Sequence, residues 1–177
     1  RLDREAVPGT GYEVVLTSRP GGVERTTVLR RQGNLRFNRQ EGRDDGTLYF
    51  SGGDGTASYV YQVDPQGRAT RLEAGLPRLR GWGGDPRWEV VPGRRPRRVL
   101  GETCTWQDET SIRSSDIHYD CRTADGIPLM TETRWHWTGE VEIERARRLV
   151  RRPLTEADLT LPPEARDWAN WGVAPPR

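Results

Sequence analysis

The chain has 177 residues, and its 28 basic side chains, all of them Arg, nearly balance 26 acidic ones to give a formal charge of +2. This balance excludes the continuous basic face that nucleic-acid binding requires, so we expect no nucleic-acid partner. Hydrophobic residues make up only 33% of the chain, but seven Trp, five Tyr and two Phe supply large apolar side chains for one folded domain. No apolar stretch approaches the roughly 18 residues of a membrane-spanning helix.

The first half of the chain reads as a series of short strands separated by turn residues. Residues 12–19 and 23–31 alternate apolar and polar side chains on either side of Pro20-Gly21-Gly22, which predicts a β-hairpin. Residues 64–67 read Asp-Pro-Gln-Gly, which matches a type I turn. Further strands are predicted at residues 35–38, 48–50, 59–63 and 68–73. Together these segments predict an antiparallel meander.

The second half begins with an interruption and ends with a tail. Residues 74–98 lose the alternation and predict a long irregular connection, after which strands resume. Residues 154–177 predict a C-terminal tail with a short helix, because Thr155 and Asp158 have the spacing of a capping box. We therefore expect residues 1–177 to form one mainly β domain: a single curved antiparallel sheet or half-open β-barrel with one or two short helices near the C-terminus.

Cys104 and Cys121 are the only cysteines of the chain, and they predict a disulfide. One pair in a tract of alternating residues is typical of an exported β protein, so we expect a periplasmic or otherwise extracytoplasmic location. The chain starts at Arg1 rather than Met, which fits a removed signal peptide and an upstream segment that anchors the protein to a membrane. If the two cysteines lie opposite each other across a hairpin, Trp106 lies opposite Tyr119.

A turn after the second cysteine predicts the register of the next strand. Asp125-Gly126 is a strong signal for a two-residue hairpin loop, which places Pro128 opposite Thr123 and Met130 opposite Cys121. Proline is tolerated at such a non-hydrogen-bonded position because it has no N–H to donate. The turn therefore predicts that Met130 lies beside the disulfide.

The strands that follow predict a candidate binding face. A turn at Thr138-Gly139 places Val141 opposite His136, and both faces of the resulting sheet mix aromatic and ionisable side chains. This mixture is typical of a sheet that curves around a partly polar cavity, although a β-bulge that changes the register would also produce it. The predicted ligand-binding residues are Trp106, Tyr119, Met130, Glu132, Arg134, Trp135 and Trp137.

Few residues of the chain have a pattern that predicts catalysis or metal binding. A metal site would need His118 with Asp116 or Asp120, together with His136, and structural or surface roles explain these residues better when both cysteines are oxidised. Ser115, Asp116 and His118 are the residue types of a hydrolase triad, but they lie in one short stretch without a nucleophile elbow. We therefore predict no catalytic site, no metal and no cofactor.

The second half of the chain also resembles a known group of envelope proteins. Its layout is a Cys-x-Trp strand, a second Cys, an Asp-Gly-Ile-Pro-Leu turn, an Arg-rich closing strand and a Pro-Pro tail: Cys104, Trp106, Cys121, residues 125–129, residues 147–153 and Pro162-Pro163. This layout resembles that of uncharacterised periplasmic proteins of Gram-negative bacteria related to the LolA and LppX lipoprotein-carrier superfamily. The resemblance covers residues 12–168 in outline, and residues 99–163 carry its specific part.

That resemblance implies a half-open, strongly curved antiparallel sheet whose concave face receives an acyl chain or another hydrophobic group. The sequence departs from the carrier proteins in lacking the long amphipathic helices that usually cover that fold. No binding-site residue of the carriers can be placed on this chain, so the identity of the ligand does not follow from the resemblance.

Two short basic runs, residues 94–98 and residues 147–152, interrupt the otherwise balanced charge pattern. Each is typical of a solvated loop or sheet edge, and contact with phosphate or a lipid head group is the alternative.

These observations predict a non-enzymatic periplasmic protein that binds a lipid-like or lipoprotein acyl ligand on the concave face of a curved β-sheet. An alternative is a structural or interaction subunit in which exposed Trp and Arg side chains dock onto a membrane-associated partner or an envelope protein complex. A third hypothesis, an extracytoplasmic hydrolase, requires a pocket that brings His118 or His136 to a nucleophile. The sequence does not predict the oligomeric state.

Overall fold

The computed structural model describes residues 10–33, 35–42, 46–53, 58–75, 89–110 and 114–159. In this part of the chain the fold is a single antiparallel β-sheet with one short α-helix, which confirms the predicted mainly β class. The strands are β1 (Tyr12–Ser18), β2 (Arg25–Gln32), β3 (Leu35–Glu41), β4 (Leu48–Gly53), β5 (Ser58–Val63), β6 (Ala69–Gly75), β7 (Glu89–Val90), β8 (Arg97–Val99), β9 (Glu102–Asp108), β10 (Ile117–Arg122), β11 (Pro128–Arg134) and β12 (Val141–Arg151), and the helix is α1 (Glu156–Leu159).

Two meanders make up the sheet. Strands β1 to β6 form the first and β9 to β12 form the second, and the order across the sheet is β6-β5-β4-β3-β2-β1-β12-β11-β10-β9-β7. Strand β12 pairs with β1 and so joins the two meanders. Within the described ranges β6 and β7 are the edges, with β8 pairing to β9 beside β7, so the sheet is open rather than closed into a barrel.

The turns of the first meander follow the predicted chemistry. A 3-10 turn at Pro20–Gly22 joins β1 to β2, and Gly21 and Gly22 both have positive φ angles, of 63° and 85°, which other residues adopt at a cost. The predicted type I turn at residues 64–67 joins β5 to β6, and the Gly67 amide donates to the Asp64 carbonyl at 2.9 Å.

A close approach at the start of β1 fixes the junction between the meanders. The amide of Arg152 donates to the carbonyl of Gly11 at 2.9 Å. A Cβ atom on Gly11 would lie 2.6 Å from the Arg152 carbonyl oxygen and 2.7 Å from Leu154 Cγ, so only glycine fits there. Further along the junction Leu16 lies opposite Ala146, and both are buried.

Two hydrophobic clusters stabilise the sheet. The larger one surrounds the junction and the disulfide, and its buried members are Tyr12, Val14, Leu16, Val99, Cys104, Trp106, Cys121, Ile127, Leu129, Met130 and Ala146. The smaller one belongs to the first meander and contains Phe37, Phe50, Tyr61, Val63 and Ala69. Phe50 and Tyr61 lie on adjacent strands, and their rings stack with centroids 4.8 Å apart.

The predicted disulfide between Cys104 and Cys121 is present, with both residues fully buried and a Cα–Cα distance of 5.1 Å. The predicted register around it is wrong by two residues, because Cys121 lies opposite Trp106 and Tyr119 lies opposite Asp108. The disulfide joins diagonal neighbours, whose Cα separation still lies within the range that a disulfide spans. A shift of two residues keeps every side chain on its face, so the predicted grouping of Trp106 with the disulfide holds.

The turn after β10 is also one residue longer than predicted. The Thr123 amide donates to the Ile127 carbonyl at 2.9 Å, which closes a loop of three residues in which Gly126 has a φ of 87°. Pro128 therefore lies opposite Arg122 rather than Thr123, and a register shift follows before the next pair. That shift cancels the extra loop residue, so the prediction that Met130 lies opposite Cys121 is confirmed.

The turn between β11 and β12 differs from its prediction for a similar reason. The Trp135 amide donates to the Glu140 carbonyl at 2.9 Å, which leaves a four-residue loop at 136–139. Val141 consequently lies opposite Arg134, not His136. The residue types at Thr138-Gly139 signalled a turn but did not determine its length.

The ends of the predicted irregular connection at residues 74–98 are strands, since they belong to β6, β7 and β8, and residues 76–88 lie outside the described part of the chain. In the predicted tail, α1 begins after Thr155, whose amide donates to the Asp158 carboxylate as in a capping box, while its hydroxyl donates to the same carboxylate. Residues 160–177 lie outside the described part. Among the helices that the structure describes, none has the length and apolarity to cross a bilayer.

Candidate functional site

Strands of both meanders line one cavity of about 620 Å³, so the sheet curves around it. Its apolar lining consists of Tyr12, Leu16, Leu29, Phe37, Val60, Pro128 and Trp135. Its charged lining consists of Arg25, Arg30, Arg31, Arg36, Arg122, His118, Asp120, Glu142 and Glu144. Five arginines thus accompany three carboxylates on the wall, and the charge of the cavity depends on how these arginines are paired.

Two of these arginines are neutralised by direct ion pairs. Arg25 forms a short ion pair with Glu142, and the Ser18 hydroxyl donates to the same carboxylate oxygen at 3.0 Å. Arg30 Nε lies 2.7 Å from the Glu13 carboxylate. The first pair joins β2 to β12 and the second joins β2 to β1, and all four side chains are buried or half-buried. Because each positive charge is matched by a carboxylate, the two pairs contribute little net charge to the cavity.

Arg31 and Arg36 form no ion pair with a carboxylate among the described residues. They lie directly opposite each other on β2 and β3, and both line the cavity. Arg31 Nε donates to the Gly33 carbonyl at 3.3 Å, and no carboxylate of the described residues lies within ion-pair distance of either guanidinium. Burial lowers the pKa of Arg31, and the nearby charges of Arg122 and Arg36 lower it further. Among the described residues, the pair is therefore a cationic patch without a direct carboxylate partner.

A network of ionisable side chains occupies the opposite wall. Arg122 donates to both oxygens of Glu109, at 2.5 Å and 3.1 Å, and to Asp120 Oδ2 at 2.8 Å. Asp120 Oδ1 lies 2.8 Å from His118 Nε2, and His118 Nδ1 lies 3.0 Å from the Thr133 hydroxyl. Alternation along β10 puts His118, Asp120 and Arg122 on the same face of the sheet, and Thr133 lies directly opposite His118 on β11.

The network sets the protonation state of each of its members. Burial and the adjacent Asp120 carboxylate raise the pKa of Glu109 to about 8. Burial acts to raise the pKa of Asp120 as well, but Arg122 and His118 outweigh it and hold that pKa below its usual range. Burial acts to lower the pKa of His118, but the contact with Asp120 outweighs it and raises the pKa to about 9. At neutral pH, His118 is therefore a cation paired with an ionised Asp120.

Thr133, His118 and Asp120 resemble the hydroxyl, imidazole and carboxylate of a hydrolase triad in their contacts. A general base must accept a proton, however, and a histidine with a pKa of about 9 is already protonated at neutral pH. In that state both ring nitrogens donate hydrogen bonds, so the Thr133 hydroxyl accepts from Nδ1 instead of giving up its proton. The arrangement is better suited to holding a positive charge beside the cavity than to activating a nucleophile.

Glu109, His118 and Asp120 also bring three potential metal-ligating atoms within 4.8 Å of one another. Arg122 donates to both carboxylates of this group, so a metal ion would lie beside a guanidinium and would compete with it for the same oxygens. The raised pKa of His118 adds a proton that the metal would have to displace. These residues fit an internal ion-pair network better than a metal site.

Several polar atoms of the cavity residues are buried without a hydrogen-bond partner among the residues that the structure describes. They are Arg25 Nε, Thr27 Oγ1, Asn38 Oδ1, Glu142 Oε2 and Glu144 Oε2. Buried polar atoms of this kind are normally satisfied by water or a ligand, since an unpaired one is destabilising. The cavity therefore favours contents that carry hydrogen-bonding groups.

The seven predicted ligand-binding residues do not share one surface. Trp135 lines the cavity. On the face of β9 to β11 that carries the disulfide, Trp106 and Glu132 are covered by Arg94, whose guanidinium lies 3.9 Å from the Trp106 ring centroid and 2.9 Å from Glu132. Met130 is buried in the core that contains the disulfide. Arg94 thus contacts two side chains, Trp106 and Glu132, that were predicted to contact a ligand.

The other predicted residues lie around this cluster or beyond it. Tyr119 lies within cation–π distance of Arg94 and of Arg134, at 5.6 Å and 5.9 Å. Trp137 lies in the loop between β11 and β12 and is 90% exposed. A role of these residues in ligand binding stays a prediction. Arg31 and Arg36 are not among the residues predicted from the sequence. The turn residues at Gly33-Asn34 nevertheless signal a hairpin that would place these two arginines opposite each other.

No protein-family model and no curated protein sequence matches the chain. A crystal structure of an uncharacterized conserved protein from Thermus thermophilus is similar to it with a TM-score of 0.54 at 14% identity, over 89% of this chain and 88% of that one. A structure of PNGF-II is similar with a TM-score of 0.52 at 12% identity, over 85% of this chain but only 29% of the PNGF-II chain. This chain therefore spans less than a third of that protein.

A crystal structure of a candidate outer membrane lipoprotein-sorting protein domain from Vibrio parahaemolyticus has a TM-score of 0.42 at 11% identity, over 89% of this chain and 91% of that one. At this level of similarity the likeness supports no statement about ligand or function. The two structures with higher scores show a shared fold.

Proposed function

We propose that this protein is a non-enzymatic binding protein that holds a lipid-like, anionic amphiphile in its cavity, with the anionic head group at Arg31 and Arg36. The observation that carries the proposal is the position of these two arginines, which lie directly opposite each other on adjacent strands, line the cavity and have no carboxylate partner in the described part of the chain. The head group of the ligand, rather than its acyl chain, contacts the Arg31–Arg36 pair.

An anionic head group suits this pair for an electrostatic reason. Two like charges opposite each other on adjacent strands destabilise a sheet, and a bound anion between them removes that repulsion. Guanidinium groups bind phosphate and carboxylate oxygens through paired, charge-assisted hydrogen bonds. The protonated His118 adds a third positive group to the same cavity.

The composition of the wall argues against a ligand that is only a hydrocarbon chain. An acyl chain packed against Thr27 Oγ1, Asn38 Oδ1 and Glu144 Oε2 would leave these buried atoms unpaired, at a cost of about 1–3 kcal/mol each. Leu16, Leu29 and Val60 line the same cavity and offer an apolar surface to the rest of an amphiphile. The mixed lining therefore supports a molecule with both a polar and an apolar part.

The proposed location is the periplasm or another extracytoplasmic compartment. The buried disulfide supports it, because structural disulfides persist in oxidising environments and are rare in the cytosol.

Calorimetric titration with three probes, each below its micelle concentration, tests the proposal. Dodecyl phosphate combines an anionic head with an alkyl chain, octaethylene glycol dodecyl ether has the same chain without charge, and inorganic phosphate has the anion alone. We expect dodecyl phosphate to bind at least tenfold more tightly than either of the others, because one charge-assisted hydrogen bond contributes roughly 1.5–3 kcal/mol. Equal affinity for the two dodecyl compounds would contradict the anionic site, and equal affinity for the two phosphates would contradict the amphiphile.

A second candidate function, ester or amide hydrolysis, is favoured by the contacts between Thr133, His118 and Asp120. It requires His118 to be neutral, so any activity should increase as the pH rises through about 9. Hydrolysis of p-nitrophenyl acetate measured against pH, with Thr133→Val as the comparison, separates the two functions. Loss of the pH-dependent rate in Thr133→Val would favour the hydrolase, and equal rates in both proteins would leave binding as the function.

A further inference from the structure

Strand β12 exposes an unusual sequence of side chains on the side of the sheet that faces away from the cavity. Val141 and Ile143 are 53% and 47% exposed, and they are followed at alternate positions by the exposed Arg145. Their neighbours Glu142 and Glu144 point to the cavity side, which they line. The outer side of β12 thus begins with apolar groups and continues with basic ones.

A register shift increases the basic character of this side. The pairing of β12 with β1 shifts by one residue between Val15 and Leu16, so that Arg147 has no direct partner in β1. Arg147 and Arg148 are both exposed, although they are consecutive in the sequence. Arg147 Nε donates to the Thr17 hydroxyl at 2.9 Å, which holds the side chain along the outer surface.

The basic run at residues 94–98 lies beside the basic run of β12. Arg145 Nη2 donates to the Arg98 carbonyl at 3.5 Å, which places β8 next to β12. Arg97 and Arg98 are exposed, as is Leu100 in the turn that follows. In the part of the chain that is described, no carboxylate lies within ion-pair distance of Arg97, Arg98, Arg145, Arg147 or Arg148, whereas Arg151 at the end of β12 pairs with Glu102 and Asp125.

Trp137 lies in the loop that leads into the apolar end of this surface. It is 90% exposed in the loop that joins β11 to β12, close in sequence to Val141 and Ile143. The His136 ring packs edge-on against it at a centroid distance of 5.7 Å. An indole so exposed makes few contacts within the protein, and it is a large apolar group presented to the surroundings.

We propose that this outer surface, formed by Trp137, Val141, Ile143, Arg145, Arg147 and Arg148, binds the surface of an anionic lipid bilayer. Trp side chains prefer the interface between head groups and hydrocarbon, and arginines are attracted to acidic head groups. A nucleic acid or another soluble polyanion would engage the arginines but would gain nothing from Val141 and Ile143. The cavity lies on the other side of the sheet, so membrane binding through this surface does not depend on the proposed ligand.

Co-sedimentation with vesicles of phosphatidylcholine, with and without phosphatidylglycerol, tests this proposal on the whole chain. We expect the wild type to bind the anionic vesicles and to bind pure phosphatidylcholine much more weakly. Trp137→Ala should weaken binding roughly tenfold, and the Arg147→Gln/Arg148→Gln variant should weaken it by roughly tenfold or more. Because these side chains are exposed, the variants should fold, which circular dichroism verifies.

Two control variants are matched to these changes and lie elsewhere on the molecule. Val23→Ser replaces an apolar residue that is 62% exposed in the turn after β1, and Arg19→Gln/Arg68→Gln removes two positive charges, one beside that turn and one in the turn before β6. Both should bind anionic vesicles like the wild type. Equal binding of the wild type to both vesicle types would overturn the proposal. Unchanged binding in Trp137→Ala would also overturn it, and so would control variants that reduce binding as much as the test variants do. Dodecyl phosphate binding should be unaffected by Arg147→Gln/Arg148→Gln, which separates failure of this proposal from failure of the proposed function.

Discussion

Arg31 and Arg36 lie directly opposite each other on adjacent strands, and both residues line one cavity. Like charges in this relationship reduce the stability of a sheet, so the pair is expected to serve binding at the expense of folding. This relationship underlies the proposed function.

The first prediction follows from that repulsion. Arg36→Gln should increase the free energy of unfolding in the absence of ligand by about 0.2–1 kcal/mol, because it removes one of two opposed like charges. Urea denaturation at low ionic strength measures the change, and added salt should diminish it. Arg39→Gln is the matched control, since Arg39 lies on the same strand at a position outside the cavity lining. A loss of stability in Arg36→Gln that exceeds the loss in Arg39→Gln would show that Arg36 makes a stabilising contact instead.

The second prediction concerns the pH dependence of stability. His118 has a folded pKa of about 9 against an ordinary value of 6.5, so its contribution is fully present below pH 6.5 and is lost as the pH rises through 9. A histidine NMR titration should find a midpoint near 9 in the wild type. Asp120→Asn should lower that midpoint, whereas Thr133→Val should lower it less because the ion pair with Asp120 remains. A wild-type midpoint near 6.5 would contradict the assigned network.

Glu109 titrates in an overlapping range and acts in the same direction. Its pKa is raised from 4.5 to about 8, so its contribution is present below pH 4.5 and is lost as the pH rises through 8. Stability measured between pH 6.5 and 9 therefore reports both groups. The NMR titration separates them because it observes the imidazole alone.

The existence of the site could be predicted only in part from the sequence. The alternation in residues 12–31 and the turn signals predicted the first meander, and the hairpin at Gly33-Asn34 would have opposed Arg31 to Arg36. Which face of that hairpin lines a cavity depends on the pairing of β1 with β12. That pairing joins segments more than a hundred residues apart, and local sequence patterns carry no signal for it.

The structure does not bring the seven predicted ligand-binding residues together on one surface, and their role in binding stays a prediction. Trp106 and Met130 lie beside the disulfide as predicted, but Arg94 covers Trp106 and Glu132 from a segment without periodicity. The register error at the disulfide arose because the two cysteines are diagonal rather than directly opposed, and the one between β11 and β12 arose because turn residues do not indicate how many residues a loop contains. The bulge beside Pro128 then restored one of the predicted pairs.

The third prediction tests the junction of the two meanders. Gly11→Ala should reduce the free energy of unfolding by about 1–3 kcal/mol, because the new Cβ would overlap the Arg152 carbonyl oxygen and Leu154. Thermal unfolding followed by circular dichroism measures the effect. A variant as stable as the wild type would mean that β1 and the end of β12 are not as close as described.

The fourth prediction concerns the turn between β8 and β9. Leu100 has a φ of 53° and Gly101 a φ of 76°, which is the backbone of a two-residue loop that favours Asn at its first position. Leu100→Asn should therefore increase stability by about 0.5–1 kcal/mol, since Asn tolerates this conformation better than Leu. Urea denaturation of the variant beside the wild type measures the difference. Destabilisation by Leu100→Asn would show that the leucine side chain, although 47% exposed, packs favourably.

Calorimetry with dodecyl phosphate tests whether the anionic head group binds at Arg31 and Arg36. The affinities of three variants are each compared with that of the wild type: Arg31→Gln, Arg36→Gln and the control Arg39→Gln. Each change removes one positive charge, but only Arg31 and Arg36 line the cavity. The account predicts a loss of roughly tenfold or more in Arg31→Gln and in Arg36→Gln and no change in Arg39→Gln. Wild-type affinity in both cavity variants, or an equal loss in all three, would contradict the assignment of the head group to this pair.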